Sequence, residues 1–565
     1  MPTGADVLVQ NLVHQGVERI FTVPGAKIDR VLESLRQLPA GTIEVVLCRN
    51  EQSAAFMAAG HGRRTSKSGV VLVTSGPGVA NLTTSLVTAT CEGDPVVAFG
   101  GAVPLSQRLK RTHQSMDNVS ILKPVCKYSV EIDSPLAIGE VVANAFRNAE
   151  AGRPGASFVS IPMDLMMNDC EMHLATPIKP PYLGAANKRN MDEAADALNG
   201  ASMPLILCGG MASSAEAVVA LRALLASHPI PVISTFQGTG TVSKEMAELY
   251  CGRVGLTKNQ PADKLLDDAD VILAVGYDVI EYDASIWNTT GKKKTIIHLD
   301  HTPFDVDNDY SPDIELIGSI SETLQELTMR LTLNRSLKPE EICHLQEIKK
   351  QREEFFMAMK SVRHVNGLVH PLQIVSTLQA LLDKYDDLTY FSDMGSFHIW
   401  LSRYLIVHKP RQLVNTNGQQ TLGVALPWAM SAAFDAKKQG TDKTEKIISI
   451  SGEGGFLFSA FELETASRFG LNLVHIIFDD CCYNMVKVQQ EKKYGASEAV
   501  ELGTVDFVKL AESLGAKGFK VTDAEALPDI VDKGLAMDGP VVIQVMVDYS
   551  DNHKLFEDAH ESAFH

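Results

Sequence analysis

Short runs of consecutive apolar residues, each followed by a segment with helical spacing, recur along this 565-residue chain and constrain its fold more than any other feature. A strand that is apolar at every position must be covered on both faces of its sheet. Helices that alternate with such strands lie on the two faces of a parallel sheet. The pattern therefore predicts an α/β protein with doubly wound parallel sheets.

The predicted strands fall into three blocks of similar size, and a chain of this length is too long for a single core. The strands are Arg19–Val23, Val45–Cys48, Gly69–Thr74 and Pro95–Phe99 in the first block, Pro204–Cys208, Pro231–Ser234, Val271–Val275 and Thr295–Leu299 in the second, and Leu388–Phe391, Lys446–Ile450, Val474–Phe478 and Pro540–Val547 in the third. Helices are predicted over Asp6–His14, from Glu51 and from about Val79. The predicted division is a first domain over 1–176, a linker over 177–187, a central domain over 188–338, a helical connector over 339–369, a third domain over 370–550 and a tail over 551–565.

Composition excludes several classes of partner. The net charge of −18 argues against nucleic acid or an anionic membrane surface. The nine cysteines show no ligand spacing, which is typical of a reducing compartment without a disulfide framework. No basic, apolar leader and no run of about 18 apolar residues is visible. A cytoplasmic protein without a membrane partner is therefore expected.

The segment from Ser449 to Gln489 contains the strongest local signal. It is predicted as a buried strand, a Gly-rich turn at 452–455, a helix and a second buried strand that ends at Asp480. A Gly-rich turn lets backbone N–H groups approach a phosphate, and carboxylates at neighbouring strand ends can hold Mg²⁺ against it. The segment therefore predicts a diphosphate-and-metal site, with Glu453 as the acid inside the turn. Taken alone, such a turn also fits an ordinary connection between a strand and a helix.

Seven phrases in order extend this signal to nearly the whole chain. They are PGAKIDRV at 24–31, EQSAAFMAAG at 51–60, TSGPGVANL at 74–82, EGDPVVAFGGAV at 92–103, HQSMDN at 113–118, DMGSFHIW at 393–400 and NGQQTLGVALPWAM at 417–430. With them the chain resembles the thiamine diphosphate enzymes, and most closely the catabolic, FAD-independent acetolactate synthases. The resemblance implies three α/β domains: pyrimidine-binding, central and diphosphate-binding.

The resemblance also implies a set of cofactor ligands. Asp480 follows Glu453 by 27 residues, which is the family spacing of the two metal-binding acids, and Cys482 is expected to add its backbone carbonyl to Mg²⁺. The other residues expected to bind thiamine diphosphate are Asn81, Gly395, Ser396, Phe397, His398, Gln420, Leu422, Gly452, Gly454, Gly455, Tyr483, Asn484 and Met485. Among them, Gln420 is expected to offer its carbonyl to the pyrimidine amino group, and Leu422 to wedge between the two rings of the cofactor.

Glu51 is the catalytic residue that the resemblance implies. In the family a glutamate at this place hydrogen-bonds N1′ of the pyrimidine ring and shares a proton with it. From the residues alone, a glutamate in the first turn of a helix is more often explained by the helix dipole. The residue before it is Asn50, where relatives usually have histidine. Asparagine is a good N-cap but has no charge to gain near neutral pH.

Two glutamines are expected to contact the substrate. Gln489 lies nine residues after Asp480, where relatives that favour 2-ketobutyrate have tryptophan, and Gln114 is the second candidate. Pyruvate is therefore expected as both donor and acceptor, with 2-acetolactate and CO2 as products. The central block has no dinucleotide fingerprint, so no FAD is expected.

The sequence leaves two alternatives open. One is a 2-keto-acid decarboxylase that releases aldehyde, and the other is a non-catalytic homologue with weakened metal binding. Asn50 and Glu453 motivate the second, since relatives usually have histidine and aspartate at these places and Mg²⁺ tolerates little change in ligand geometry. The resemblance further implies a homodimer or homotetramer whose active sites are shared between subunits.

Overall fold

The computed structural model describes residues 1–178, 180–289, 293–332 and 368–555, and some residues between 342 and 357. Within these ranges the chain forms three domains, each around a six-stranded sheet in which every pair of neighbouring strands is parallel. The predicted fold class is confirmed. The predicted connector over 339–369 and the tail over 551–565 lie mostly outside the described residues.

The N-terminal sheet has the strand order β2-β1-β3-β4-β6-β5. Its strands are β1 (Arg19–Val23), β2 (Glu44–Leu47), β3 (Gly69–Val73), β4 (Val96–Ala102), β5 (Tyr128–Glu131) and β6 (Ala156–Pro162). The helices of this domain are α1 (Gly4–His14), α2 (Asp29–Arg36), α3 (Glu51–Thr65), α4 (Pro77–Ala80), α5 (Thr83–Glu92), α6 (Asn118–Leu122), α7 (Ile138–Glu150) and α8 (Met163–Met167).

The central sheet has the order β12-β11-β10-β7-β8-β9. Its strands are β7 (Pro204–Cys208), β8 (Val232–Ser234), β9 (Tyr250–Arg253), β10 (Val271–Val275), β11 (Thr295–Asp300) and β12 (Ile314–Ile317). The helices here are α9 (Lys188–Gly200), α10 (Ala215–Ser227), α11 (Asp263–Asp268), α12 (Ala284–Trp287) and α13 (Ile320–Arg330).

The C-terminal sheet has the order β14-β13-β15-β16-β18-β17. Its strands are β13 (Leu388–Ser392), β14 (Leu413–Asn415), β15 (Lys446–Gly452), β16 (Leu473–Asp479), β17 (Lys517–Val521) and β18 (Pro540–Met546). The helices are α14 (Pro371–Lys384), α15 (Ser396–Tyr404), α16 (Ala425–Gln439), α17 (Glu453–Leu457), α18 (Glu462–Arg468), α19 (Asn484–Tyr494), α20 (Phe507–Ser513) and α21 (Leu527–Leu535).

The predicted strands are confirmed to within a residue or a few at their ends, and all of them except the largely exposed β2 are mostly or fully buried. Strand β16, for example, is buried at every position and ends at Asp479, one residue before the predicted end. Five of the six strands without an apolar run, β5, β9, β12, β14 and β17, lie at the edges of their sheets. An edge strand has a neighbouring strand on one side only, and β5, β12 and β17 are only partly buried, so their sequences carry no uninterrupted apolar stretch.

The N-terminal and C-terminal domains share one hydrophobic core within the chain. Helices α3 and α16 pack along each other, and Phe56 and Met57 of α3 belong to the same buried cluster as Trp428 and Met430 of α16. A Cβ atom at Gly60 would lie 3.0 Å from the Trp428 ring, so the helices approach closely at this glycine. The packing fixes the start of α3, and with it Glu51, relative to the C-terminal domain.

The central domain is attached to the C-terminal domain by a buried arginine. Arg253, at the end of β9, donates to the carbonyl oxygens of Ser402 and Leu405, at the C-terminal end of α15, and its Nε donates to Thr239 at 2.9 Å. A positive charge at the C-terminal end of a helix is favourable because the helix dipole is negative there. The central domain thereby stabilises the helix that the sequence predicts to bind diphosphate.

No helix among the described residues is long and apolar enough to cross a membrane.

Candidate active site

A cavity of about 300 Å³ opens at the carboxyl ends of β13, β15 and β16. Ligands of open α/β sheets bind at this edge, because the strand ends and the helix N-termini meet there. All the residues predicted from the C-terminal domain line it: Gly395, Ser396, Phe397, His398, Gln420, Leu422, Gly452, Glu453, Gly454, Gly455, Asp480, Cys482, Tyr483, Asn484, Met485 and Gln489. The fold therefore brings together side chains that are up to 94 positions apart in sequence.

The Gly-rich turn joins β15 to α17 and has no room for side chains at two positions. A Cβ atom at Gly454 would lie 2.4 Å from the ring of Tyr483, and one at Gly455 would lie 2.4 Å from Oδ2 of Asp393. Glycine at both places lets the backbone pass directly beside the cavity. The residues present thus fit a turn whose N–H groups contact an anion.

Two carboxyl groups, Glu453 and Asp480, line the same cavity. Oε1 of Glu453 accepts the N–H of Cys482 at 2.6 Å, and Oδ2 of Asp480 accepts Nδ2 of Asn484 at 2.7 Å. Burial raises the pKa of Glu453 to about 8, and repulsion from Asp480 adds to the effect. Burial likewise raises the pKa of Asp480 to about 7. Two buried acids that resist ionisation are stabilised in the charged form by a cation between them.

The thiol of Cys482 is a poor ligand for Mg²⁺, which prefers oxygen atoms. Burial also raises the pKa of this thiol to about 11. The backbone turns just before it, because Cys481 has a left-handed φ of 56°. Across the described residues no three His, Cys, Asp or Glu side chains gather as a metal cluster. The predicted ligand set, two carboxylates and the Cys482 carbonyl, contains only two side chains.

The start of α15 forms a second wall of the cavity. Gly395 has a φ of 153°, and a Cβ atom there would lie 2.6 Å from the ring of Phe397. His398 is buried, and its Nδ1 has no hydrogen-bond partner among the described residues. Burial, with the nearby charge of Arg253, lowers the pKa of His398 to about 4, so the imidazole is neutral. A buried ring nitrogen without a partner, next to a helix N-terminus, fits a polar ligand.

The segment that carries Gln420 and Leu422 has an unusual backbone. Gln420 has a φ of 48° and Gly423 a φ of 80°, so two residues in four adopt the left-handed conformation. Oδ2 of Asp393 accepts the N–H of Gly423 at 2.8 Å, and Oδ1 accepts the N–H of Val424 at 3.1 Å. Asp393 was not among the site residues predicted from the sequence. An acid that directly follows a buried strand could have indicated it.

Three predicted residues lie outside this cavity. Glu51 begins α3, and its Oε2 accepts Nδ2 of Asn81 at 3.0 Å. Gln114, with a φ of 61°, accepts the hydroxyl of Ser75 at 3.2 Å. The structure therefore brings Glu51 and Asn81 together, but within one chain it brings neither to the cavity of the C-terminal domain. The cavity also includes Phe236 and Leu256 of the central domain, which the sequence analysis did not single out.

Asn50 is the N-cap of α3, as predicted. Its Oδ1 accepts the N–H of Gln52 at 2.8 Å. The backbone N–H groups of Arg49 and Asn50 donate hydrogen bonds to Oε1 of Glu462, at 2.8 and 3.0 Å. A carboxylate of the C-terminal domain thus holds the backbone that leads into Glu51.

Three family models match the three domains. They are the N-terminal TPP binding domain of thiamine pyrophosphate enzymes at residues 2–121, the central domain at 191–327 and the C-terminal TPP binding domain at 393–545. Thiamine pyrophosphate is another name for thiamine diphosphate.

Among curated proteins, the chain is 45% identical over 557 residues to the acetolactate synthase of Bacillus subtilis, covering 98% of this chain and 95% of that protein. It is 43% identical over 559 residues to the catabolic acetolactate synthase of Raoultella terrigena, covering 99% and 97%. A probable acetolactate synthase large subunit from Methanococcus aeolicus is 29% identical over 566 residues, covering 97% and 92%. Together with the three domains and the lining of the cavity, these matches show that the chain belongs to the acetolactate synthase family of thiamine pyrophosphate enzymes.

Proposed function

We propose that this chain is an acetolactate synthase, which converts two molecules of pyruvate to 2-acetolactate and CO2 with thiamine diphosphate and Mg²⁺. The observation that carries the proposal is the single cavity lined by every cofactor and metal residue predicted in the C-terminal domain. Identity of 43–45% to acetolactate synthases over nearly the full chain supports the same activity.

The residues of the cavity divide the work of holding the cofactor. When bound, thiamine diphosphate supplies the carbanion and the electron sink for decarboxylation. Glu453, Asp480 and the Cys482 carbonyl would hold Mg²⁺. The N–H groups of the Gly-rich turn and of the α15 N-terminus would contact the diphosphate. Leu422 and the carbonyl of Gln420 would orient the rings, and the apolar walls would exclude water.

Glu51 would act on the proton of the pyrimidine N1′, and a second copy of the chain would deliver it. Within one chain Glu51 does not line the cavity, whereas the face beside the Gly-rich turn exposes large apolar side chains: Leu457 is 42%, Phe458 57% and Phe461 64% exposed. Exposed apolar groups of this size are typical of a protein interface. We therefore propose a homodimer, or a homotetramer built from such dimers, with active sites shared between subunits.

Pyruvate is proposed as both donor and acceptor. Gln489 lies on α19 and lines the cavity, where its amide can hydrogen-bond a carboxylate or a carbonyl oxygen. Gln114 would reach the site from the N-terminal domain of the second copy. An amide at position 489 presents no flat apolar surface for a longer side chain, which favours pyruvate over 2-ketobutyrate as acceptor.

The central domain is proposed to work without FAD. At the end of β7, where a dinucleotide phosphate would approach the sheet, the N–H of Gly210 is donated to the carboxyl of Glu281 at 2.9 and 3.0 Å. The N–H of Gly210 is therefore already hydrogen-bonded to Glu281 and is not free for a dinucleotide phosphate. Purified protein is expected to show no flavin absorbance; a stoichiometric flavin spectrum would contradict the proposal.

A cytoplasmic location is also proposed. The eight cysteines among the described residues are all free thiols, which agrees with a reducing compartment. Cell fractionation tests this directly.

The deciding experiment is pyruvate consumption with thiamine diphosphate and Mg²⁺ both present, or with either withheld. Consumption is expected only with both, and the product should give acetoin after acid treatment. Acetaldehyde as the main product would identify a decarboxylase instead, and the absence of consumption despite cofactor binding would indicate a non-catalytic homologue.

A further inference from the structure

The buried carboxylate of Asp393 lies where three segments of the cavity wall meet. It follows β13 directly and stands two residues before Gly395, where α15 begins. Its side chain is fully buried, and its two oxygens accept the N–H groups of Gly423 and Val424 at 2.8 and 3.1 Å. Oδ2 also lies only 2.4 Å from the position that a Cβ of Gly455 would take. One side chain thus contacts both the Gly-rich turn and the segment that carries Leu422.

That segment needs an external support because its backbone is not in a preferred conformation. Gln420 is not glycine, yet its φ of 48° is left-handed, and such conformations persist only when the surrounding contacts hold them. The two N–H groups that Asp393 accepts belong to the residues immediately after Leu422. They fix where the Leu422 side chain stands along the cavity.

The same carboxylate also caps α16. Val424 is the N-cap of α16 and its own side chain makes no capping hydrogen bond, so the acceptor comes from Asp393 instead. The positive end of the helix dipole favours a negative charge at this place. Burial acts in the opposite direction and raises the pKa of Asp393 to about 7. The hydrogen bonds from Gly423 and Val424 offset part of the free-energy cost of burying this carboxyl group.

We propose that Asp393 is a positioning residue, which sets the backbone of residues 420–424 so that Leu422 and Gln420 meet the ring part of the cofactor. The inference deepens the proposed function and depends on the same site. It predicts that Asp393 matters more for the rings of thiamine diphosphate and for turnover than for the diphosphate group, because its hydrogen bonds to Gly423 and Val424 hold the segment that carries Leu422.

The test replaces Asp393 by asparagine. The amide has one acceptor oxygen and one NH2 group, so one of the two N–H groups would face another donor and the segment would shift. We expect the Kd for thiamine diphosphate with Mg²⁺ to rise about tenfold, and kcat at saturating cofactor to fall by at least as much. The Kd for inorganic pyrophosphate with Mg²⁺ should stay within about twofold, as isothermal titration calorimetry would measure.

Asp435→Asn is the matched control. Asp435 is also a buried aspartate of the C-terminal domain, on α16, and it contacts Arg19 and His61 rather than the cavity. This variant should lower the melting temperature but leave both dissociation constants and kcat unchanged. If Asp393→Asn behaves like Asp435→Asn, with lower stability and unaltered kcat and cofactor affinity, the proposal is wrong.

Should Asp393→Asn fail to fold, hydrogen exchange of the wild-type protein without cofactor provides the second test. The amides of Gly423 and Val424 should exchange far more slowly than those of Gln419 and Gln420, and fast exchange of all four would overturn the proposal. The binding arms do not depend on pyruvate chemistry. A wild-type protein that binds thiamine diphosphate but consumes no pyruvate would contradict the proposed function alone.

Discussion

Glu453 is the acid of the Gly-rich turn, where the resemblance implied aspartate, and its extra methylene group has a physical consequence in the structure. The longer side chain reaches the N–H of Cys482, at 2.6 Å, across the strand ends. A carboxylate oxygen that is engaged with a backbone donor is less free to adopt the near-octahedral geometry that Mg²⁺ requires. A glutamate at this position therefore preserves the turn and is expected to lower the affinity for Mg²⁺.

Glu453→Asp tests this expectation. Shortening the side chain should release it from Cys482 and lower the Mg²⁺ concentration for half-maximal activity by about three- to tenfold, which corresponds to ~1 kcal/mol in binding free energy. The measurement is a Mg²⁺ titration of pyruvate consumption at saturating thiamine diphosphate. Glu464→Asp, on α18, serves as control and should not change the titration, because its carboxylate contacts Arg49 and Arg468 rather than the cavity. An unchanged half-activation in Glu453→Asp would show that the glutamate holds the metal as well as an aspartate does.

Glu281 provides a pH dependence of known sign. Burial raises its pKa to about 8 in the folded chain, from 4.5 in the unfolded chain. Between these values the folded state holds a proton that the unfolded state has released, so the contribution of this group to stability falls as the pH rises. In Glu281→Gln a neutral amide of the same size removes this loss. The melting temperature of the variant minus that of the wild type should therefore increase from about pH 5.5 to about pH 8.5.

Differential scanning fluorimetry across this range measures the difference. Glu216→Gln, which replaces an exposed glutamate of α10 in the same domain, is the control for loss of a glutamate side chain at the surface. A difference for Glu281→Gln that is the same at all pH values would mean that Glu281 is ionised throughout.

At the scale of elements, the sequence predicted the strands that have apolar runs. It did not predict most edge strands or the contacts between segments that are remote in sequence. The strand β10 is apolar throughout and was predicted to the residue, whereas the edge strand β17, KGFKV, has no such run. The Gly-rich turn was recognised because glycine at 454 and 455 reflects a local steric need. The role of Asp393 could not be assigned from the sequence, because its hydrogen-bond partners Gly423 and Val424 are remote in sequence. The contact between Glu453 and Cys482 was missed for the same reason.

Helix α3 offers a test of an element through its cap. Asn50→Ala removes the acceptor for the N–H of Gln52 and should cost about 1 kcal/mol of stability. Asn50→Ser restores a capping oxygen and should recover most of the loss. Because α3 carries Glu51 as its first residue, kcat is expected to fall in the alanine variant and to return in the serine variant. Urea unfolding and pyruvate turnover, measured on both variants, provide the comparison; equal stability of Asn50→Ala and wild type would exclude a capping role.

At the scale of the whole molecule, one chain contains all the predicted parts of the site but does not assemble them. The C-terminal cavity holds the metal and diphosphate residues, while Glu51, Asn81 and Gln114 lie elsewhere. The sequence indicated the residues of both groups, but the distance between them within a chain follows only from the domain packing. Phe458 and Phe461 are exposed beside the cavity, as expected for an apolar surface that a second copy of the chain covers.

Co-expression of two inactive variants tests the shared site. Glu51→Gln should inactivate one half of each site and Glu453→Ala the other. If the halves come from different subunits, random pairing gives mixed dimers with one intact site each, and about a quarter of the wild-type activity should return. Each variant expressed alone is the control. If co-expression restores no activity, both residues serve the same chain and the proposed sharing is wrong.

The contact between Arg253 and the C-terminal end of α15 has a thermodynamic consequence. Arg222 of the central domain likewise donates to the carbonyl of His408, at 2.9 Å, so two guanidinium groups tie the central domain to the segment that includes α15. Domains joined by hydrogen bonds from charged side chains lose those hydrogen bonds together when either domain opens. The two domains are therefore expected to melt in one cooperative transition in scanning calorimetry. A ligand that binds at the N-terminal end of α15 should therefore raise the melting temperature of both domains together.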